Sequence, residues 1–105
     1  MAKGSHKYSV LQGEEKYCWI TGARNVQLEK HHIYFGPGMR QISDKHGFWV
    51  YLMPIFHGAD KSVTAVHGRD GHELDLRLKR ECQRKFEETH TRAEFMKLIG
   101  RNYLE

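Results

Sequence analysis

Eight histidines occur among the 105 residues, and four of them are placed where a chemical site could form. His31 and His32 are adjacent, and His57 and His67 follow them in the second half of the chain. Imidazole is the commonest transition-metal ligand and the usual proton acceptor near neutral pH. Three neutral imidazoles suit a divalent cation that also binds phosphate, and a fourth can take a proton from water. The pattern therefore allows a metal-dependent hydrolytic site or, alternatively, a set of surface histidines.

Length and composition favour one globular domain over residues 1–105. Hydrophobic residues make up 39% and charged residues 29%, and no run of 18 apolar residues could form a transmembrane helix. A net charge of +4 favours an anionic partner. Two cysteines cannot form a disulfide framework, so we expect a cytoplasmic protein. Residues 1–7 are predicted to be disordered. No apolar stretch follows them, so we expect no secretory signal.

The elements that must position the histidines are predicted to be strands in the first half of the chain. Alternating apolar residues over 26–35 predict a strand that carries His31 and His32 near its end. Aromatic and branched residues over 48–53 predict a second strand, which a proline ends. A short strand is expected over 8–11, and the polar segment 39–47 is expected to be irregular or a single helical turn. The segment 55–67 fits either a helix or a loop.

The second half of the chain is predicted to be helical. One apolar stripe runs along residues 72–89 at a spacing of four, which is typical of an amphipathic helix: Leu74, Leu78, Cys82 and Phe86. We expect Cys82 to be a small buried hydrophobic residue. Thr91 and Glu94 have the spacing of a capping box, so a second helix is predicted to begin there and to end at Gly100.

Four segments in a fixed order carry a resemblance to a known family: YCWITG at 17–22, LEKHHI at 28–33, VYLMPIFH at 50–57 and AVH at 65–67. The order is similar to that of the HNH nucleases, also called His-Me finger or ββα-metal nucleases, and above all to their small phage and prophage members. With the C-terminal segments, the resemblance covers roughly residues 9–104. It implies an α+β fold, with a ββα-metal core and two C-terminal helices over 72–104.

The resemblance implies a metal-dependent endonuclease that hydrolyses phosphodiester bonds of DNA, encoded by a phage or prophage and active in the bacterial cytoplasm. The first histidine of the pair would bind the metal with the two later ones, which assigns His31, His57 and His67 as ligands. His32 would be the general base that activates water. The metal is expected to be Mg²⁺, with Mn²⁺, Ni²⁺ or Zn²⁺ as alternatives, and to bind the scissile phosphate and stabilise the leaving 3′ oxygen. Double-stranded DNA is the expected partner, and a host or phage protein is a further candidate.

Three positions depart from the pattern of many HNH domains, which hold a structural zinc between two pairs of cysteines. Cys18 is present, but Thr21 stands at its partner's position, and Met53 and Phe56 stand where the second pair would be. We therefore expect no structural zinc, and an apolar cluster in its place. The middle asparagine of the family name has no clear counterpart. The alternative function is a non-catalytic HNH-derived module that binds DNA or protein, such as an inhibitor of a host system.

Two basic features have both a functional and a neutral interpretation. Arg40, after the Gly36-Pro37-Gly38 loop, is expected to contact a phosphate, and the alternative is a solvated arginine at a flexible turn. The pairs Lys79–Arg80 and Arg84–Lys85 could follow a phosphate backbone. The acidic residues among them favour a solvated, charge-balanced helix face.

Overall fold

The computed structural model describes residues 8–57 and 71–104 of the chain. The elements in this part are, in order, β1 (Glu29–His32), α1 (Met39–His46), β2 (Trp49–Leu52), α2 (Pro54–His57), α3 (His72–Phe86) and α4 (Arg92–Ile99). This order confirms the α+β class. The predicted disorder of 1–7 and most of the ambiguous segment 55–67 lie outside the described residues. None of the helices in the described ranges has the length and apolar character needed to cross a membrane.

The two strands pair in an antiparallel, two-stranded sheet that carries the histidine pair, and we call it a wide hairpin because its connection contains α1. In its register, His31 lies opposite Val50 and His32 lies opposite Trp49. Each strand has four residues and is shorter than its predicted segment, although the amide of Ile33 still donates to the carbonyl of Phe48 at 2.8 Å. Val50 and Phe48 are fully buried, so one face of the hairpin forms part of the core.

The segment between the strands is the eight-residue helix α1, and the prediction of an irregular segment or a single turn was wrong. A polar helix this short is marginal by itself, so its stability comes from tertiary contacts. Ser43 provides them: its hydroxyl donates to the carbonyl of Tyr34 at 2.6 Å and accepts from the amide of Tyr34 at 3.1 Å. Gly47 then ends the helix in the left-handed conformation, at φ 79°. Met39 and Ile42, three residues apart on the same helix, also pack against the core, so one buried polar residue and two apolar residues hold α1 in place.

The predicted strand over 8–11 is also wrong, because the structure has a turn there with one isolated bridge between Ser9 and Gly13. This turn is fastened to β2 by side chains instead of by a ladder. The hydroxyl of Ser9 donates to the carbonyl of Trp49, and the amide of Tyr51 donates to Oε1 of Gln12 at 2.8 Å. The turn therefore supports the hairpin without extending its sheet.

The C-terminal helices close the core as predicted. Three residues of the apolar stripe on α3 are buried: Leu78, Cys82 and Phe86. The fourth, Leu74, is partly buried and packs against the core. Burial raises the pKa of the Cys82 thiol, in keeping with a structural role. The capping box of Thr91 and Glu94 is formed at the start of α4, and Gly100 ends that helix. Edge-on aromatic contacts join Phe48 of the hairpin to Phe86 and Tyr34.

Candidate functional site

The two histidines of β1 lie in different environments, because successive side chains of a strand face opposite ways. His31 is 1% exposed, and its ring lies 5.9 Å from that of Phe35, centroid to centroid. The side chain of His32 is 19% exposed. His32 is therefore the member of the pair that water can reach, while His31 is enclosed by protein.

A carboxylate on α1 fixes the ring of His32. Nε2 of His32 lies 3.2 Å from Oδ1 of Asp44, and Nζ of Lys30 lies 3.4 Å from the same oxygen. Lys30 also lies over the ring of Trp49, 4.1 Å from its centroid. The helix thus brings an anionic partner to the histidine, and the neighbouring lysine offsets part of its charge.

This contact determines which nitrogen of His32 could accept a proton. An ionised carboxylate has no hydrogen to donate, so the nitrogen that faces Asp44 carries the proton. In the neutral ring the lone pair then belongs to Nδ1. The pair of His32 and Asp44 is the usual arrangement of a general base and the group that orients it.

Asp44 is the residue that sequence reasoning missed. Its role depends on α1, which places residue 44 beside the end of β1, and the segment was expected to be irregular. Met39 and Ile42 are the only apolar residues at helical spacing in 39–47, and the one buried residue of the helix is the polar Ser43, so the sequence signal for a helix was short. The remaining signal for a partner of the histidines was the polar pair Ser43-Asp44 between the two predicted strands.

Arg40 lies in the first turn of α1 and is exposed. It precedes Asp44 by four residues, so the two side chains share one face of the helix. Arg40 is thus placed on the face of α1 that contacts His32. It lies in a helix and not in the flexible turn that was its alternative interpretation. Its guanidinium has the donor geometry that suits a phosphate.

The predicted metal ligands are only partly covered by the structure. His67 lies outside the described residues, as does the side chain of His57, which ends α2. Within 8–57 and 71–104, no group of three or more histidine, cysteine or acidic side chains is arranged to hold a metal ion. His31 is therefore the one predicted ligand whose surroundings are known.

The positions that correspond to the zinc cysteines of the resemblance come together around Cys18. Cys18 is buried, and the hydroxyl of Thr21 lies 3.7 Å from the sulfur of Met53. Burial by itself would raise the pKa of the Cys18 thiol, but hydrogen bonds with the Thr21 side chain and with the backbone of Met53, Thr21 and Ile20 outweigh it. The pKa of this thiol therefore lies below its ordinary value. Ile20 and Phe56 pack against the core nearby, as expected of an apolar cluster.

The candidate site that the structure brings together therefore consists of His32, its partner Asp44 and the arginine one turn away, while His31 faces the core from the other side of β1. The chain matches no known family model, no curated protein and no solved structure.

Proposed function

We propose that the protein is a metal-dependent DNA endonuclease in which His32 is the general base. The observation that carries this proposal is the pairing of a partly exposed imidazole with a carboxylate, Nε2 of His32 to Oδ1 of Asp44 at 3.2 Å. Such a pair leaves Nδ1 as the proton acceptor. A positioned base of this kind accelerates a hydrolytic step by about 10²–10⁴-fold.

The proposed chemistry needs one proton transfer at His32. Nδ1 takes a proton from water as the water oxygen attacks the phosphorus, and the bond from phosphorus to the 3′ oxygen breaks. The ring becomes a cation, which the carboxylate of Asp44 stabilises through the hydrogen bond from Nε2. The 3′ oxygen leaves and is protonated from solvent. Asp44 is thus a positioning residue in this scheme, and His32 is the catalytic residue.

Three imidazoles would hold the divalent cation: His31, His57 and His67. The donor chemistry fits such an ion, because neutral imidazole binds divalent transition metals and leaves positions open for phosphate oxygens. When bound, the cation supplies positive charge that stabilises the phosphate as negative charge builds up on it. An all-imidazole set suits Ni²⁺ or Zn²⁺ better than Mg²⁺ or Mn²⁺, although Mg²⁺ was the first expectation.

The order of elements supports a ββα-metal core as the finer description of the fold. β1 and β2 pair directly, and α2 begins two residues after β2 with Pro54 at its first position. His57 is the last residue of α2. The paired strands, with α1 between them in the chain, are therefore followed at once by a helix that carries a proposed ligand.

We propose that Arg40 contacts either the scissile phosphate or the phosphate next to it in the DNA strand. Its place on the same helical face as Asp44 puts a guanidinium within one turn of the residue that orients the base. Positive charge at this point would hold the substrate in register with His32.

The test is nicking of supercoiled plasmid in the presence of Mg²⁺, Mn²⁺, Ni²⁺ or Zn²⁺, each added separately. We expect wild-type protein to nick the plasmid with at least one of them and His32→Ala to lose the activity. His72→Ala is the matched control, because this exposed histidine begins α3 and has no role in the scheme. Wild-type protein that cuts with none of the four ions would contradict the proposal and leave the non-catalytic binding module.

A further inference from the structure

A groove of about 550 Å³ runs beside α3, and three arginines of that helix line it. Arg77, Arg80 and Arg84 are three and four residues apart, so their side chains leave the helix on the same face. From the first to the last they span about 10 Å along the helix axis. We call this feature the arginine groove; Ile20, Phe56 and Leu74 line it as well.

Each guanidinium of the arginine groove is held by one contact and keeps further donors. The Arg77 guanidinium lies over the ring of Trp19, 4.9 Å from its centroid. Nε of Arg80 donates to the carbonyl of Tyr103 at 3.1 Å, and Nη1 of Arg84 lies 3.2 Å from a carboxylate oxygen of Glu81. A guanidinium has five N–H donors, so these contacts orient the groups without using them up. Such pre-orientation lowers the entropy that binding an anion would cost.

Within each of the basic pairs Lys79–Arg80 and Arg84–Lys85, the structure places the lysine and the arginine in different surroundings. Lys79 turns to Asp75, at 2.8 Å with 13% of its side chain exposed, and Lys85 lies 3.3 Å from Glu88. Their neighbours Arg80 and Arg84 line the groove instead. Part of the expected charge balance is present, because Arg84 pairs with Glu81, whereas Arg80 donates to a backbone carbonyl and Arg77 lies over an aromatic ring. Among the described residues that line the groove, the arginines exceed the acidic residues by two charges.

We propose that the arginine groove binds the phosphate backbone of double-stranded DNA. This inference takes its ligand class, DNA, from the proposed function, and it adds the surface and the mode of binding. Each strand of a duplex carries one phosphate per 3.4 Å of helix axis, so a row of about 10 Å reaches about three phosphates. Arginine donates two parallel hydrogen bonds to a phosphate, which makes it well suited to this contact.

The aromatic residues at the groove favour a duplex over a single strand. Proteins that bind single strands stack bases on open aromatic faces. Here the guanidinium of Arg77 covers a face of Trp19, and Phe56 packs against the hydrophobic core. The groove thus offers charge for a backbone and no arrangement for stacking bases among its described residues.

The experiment measures fluorescence anisotropy of a labelled 20-base-pair duplex in EDTA, over 50 to 200 mM salt. The variant replaces the three arginines of the groove with glutamine. Three phosphate contacts contribute a slope of about −2.7 to the logarithm of affinity against the logarithm of salt, or about 40-fold over this range. We expect the triple variant to lose that part of the slope. A control with the same change in charge replaces exposed lysines elsewhere: Lys16, Lys85 and Lys97.

A second variant keeps the test independent of folding. Glu73 is the carboxylate that lines the groove, and Glu73→Gln should strengthen duplex binding a few-fold by removing repulsion of phosphate. Duplex binding that is unchanged in both the triple variant and Glu73→Gln overturns the proposal. So does arginine-dependent binding that favours the labelled single strand, or that favours an acidic peptide and excludes the duplex.

Cleavage assays separate this proposal from the proposed function. If duplex binding depends on the arginine groove but no metal supports cleavage, the groove stands and the endonuclease fails. If cleavage depends on His32 but binding is indifferent to the groove, the groove is wrong and the endonuclease stands. The two readouts are measured on the same preparations.

Discussion

The carboxylate of Asp44 should control cleavage without controlling the fold or the binding of DNA. In the proposed mechanism it holds the ring of His32, so that Nδ1 faces water, and it stabilises the charged ring. Asp44→Asn keeps the shape and removes the charge. The amide can also present its NH₂ group to Nε2, which would reverse the tautomer of the ring. We therefore expect kcat to fall while KM is unchanged.

The size of this loss follows from the exposure of the pair. A hydrogen bond that involves a charged group contributes about 1.5–3 kcal/mol. The side chain of Asp44 is 34% exposed and Lys30 shares its oxygen, so the lower end of this range applies. Since about 1.4 kcal/mol corresponds to a factor of ten in rate, we expect a decrease in kcat of about tenfold.

The assay is single-turnover nicking of plasmid at saturating metal, with thermal unfolding and duplex affinity measured on each protein. Asp44→Glu should restore part of the rate, because it returns the charge. Glu88→Gln is the control, since it removes a carboxylate from an exposed ion pair with Lys85, in the turn that follows α3. A normal cleavage rate in Asp44→Asn, with the fold intact, would refute the assignment of Asp44 as the residue that orients the base.

Three further predictions test other parts of the account. His31→Ala should weaken metal binding and be partly rescued by excess metal, whereas metal should not rescue a loss of the base; isothermal titration and cleavage at rising metal concentration measure this. Ser43→Ala should lower the free energy of unfolding by about 1–3 kcal/mol, because it strands the buried amide and carbonyl of Tyr34, and urea denaturation measures the change. The hydrogen bond from Arg92, and to a smaller extent that from Gln83, lowers the pKa of Glu87. The ionised carboxylate therefore stabilises the fold at pH values above the ordinary pKa of glutamate, and this stabilisation is lost as the pH falls through the lowered pKa. Glu87→Gln should therefore destabilise the protein by up to about 1 kcal/mol at pH 7 and have little effect at pH 2, and an equal loss at both values would contradict this.

The C-terminal half of the fold could be predicted from the sequence because its signals are local. The stripe along α3 repeats every four residues, and the capping box of Thr91 is complete within four residues. The hairpin was predicted in position but not in length. Its strands are set by pairing across the sheet and by α1, neither of which a single segment encodes.

The candidate site was predictable only in its histidines. Adjacent imidazoles are visible in any reading of the sequence, and so is the possibility that one binds metal and the other accepts a proton. Asp44 could not be identified, because its contact with His32 joins residues that are 12 positions apart through a helix whose one buried residue is a serine. Arg80 and Arg84 were candidates for phosphate contact, but the arginine groove itself could not be predicted for a related reason. Neighbouring basic residues on α3 face different surroundings, and the sequence treats them as one patch.

The central claim is that His32 is a base and not a binding residue. The most direct measurement determines cleavage and duplex affinity on the same sample of His32→Ala, with the metal that best supports the wild type. We expect a cleavage rate about 10²–10⁴-fold below the wild type and a duplex affinity within a few-fold of it. A His32→Ala protein that cuts as fast as the wild type, or one whose only defect is lost affinity for the duplex, would contradict the account.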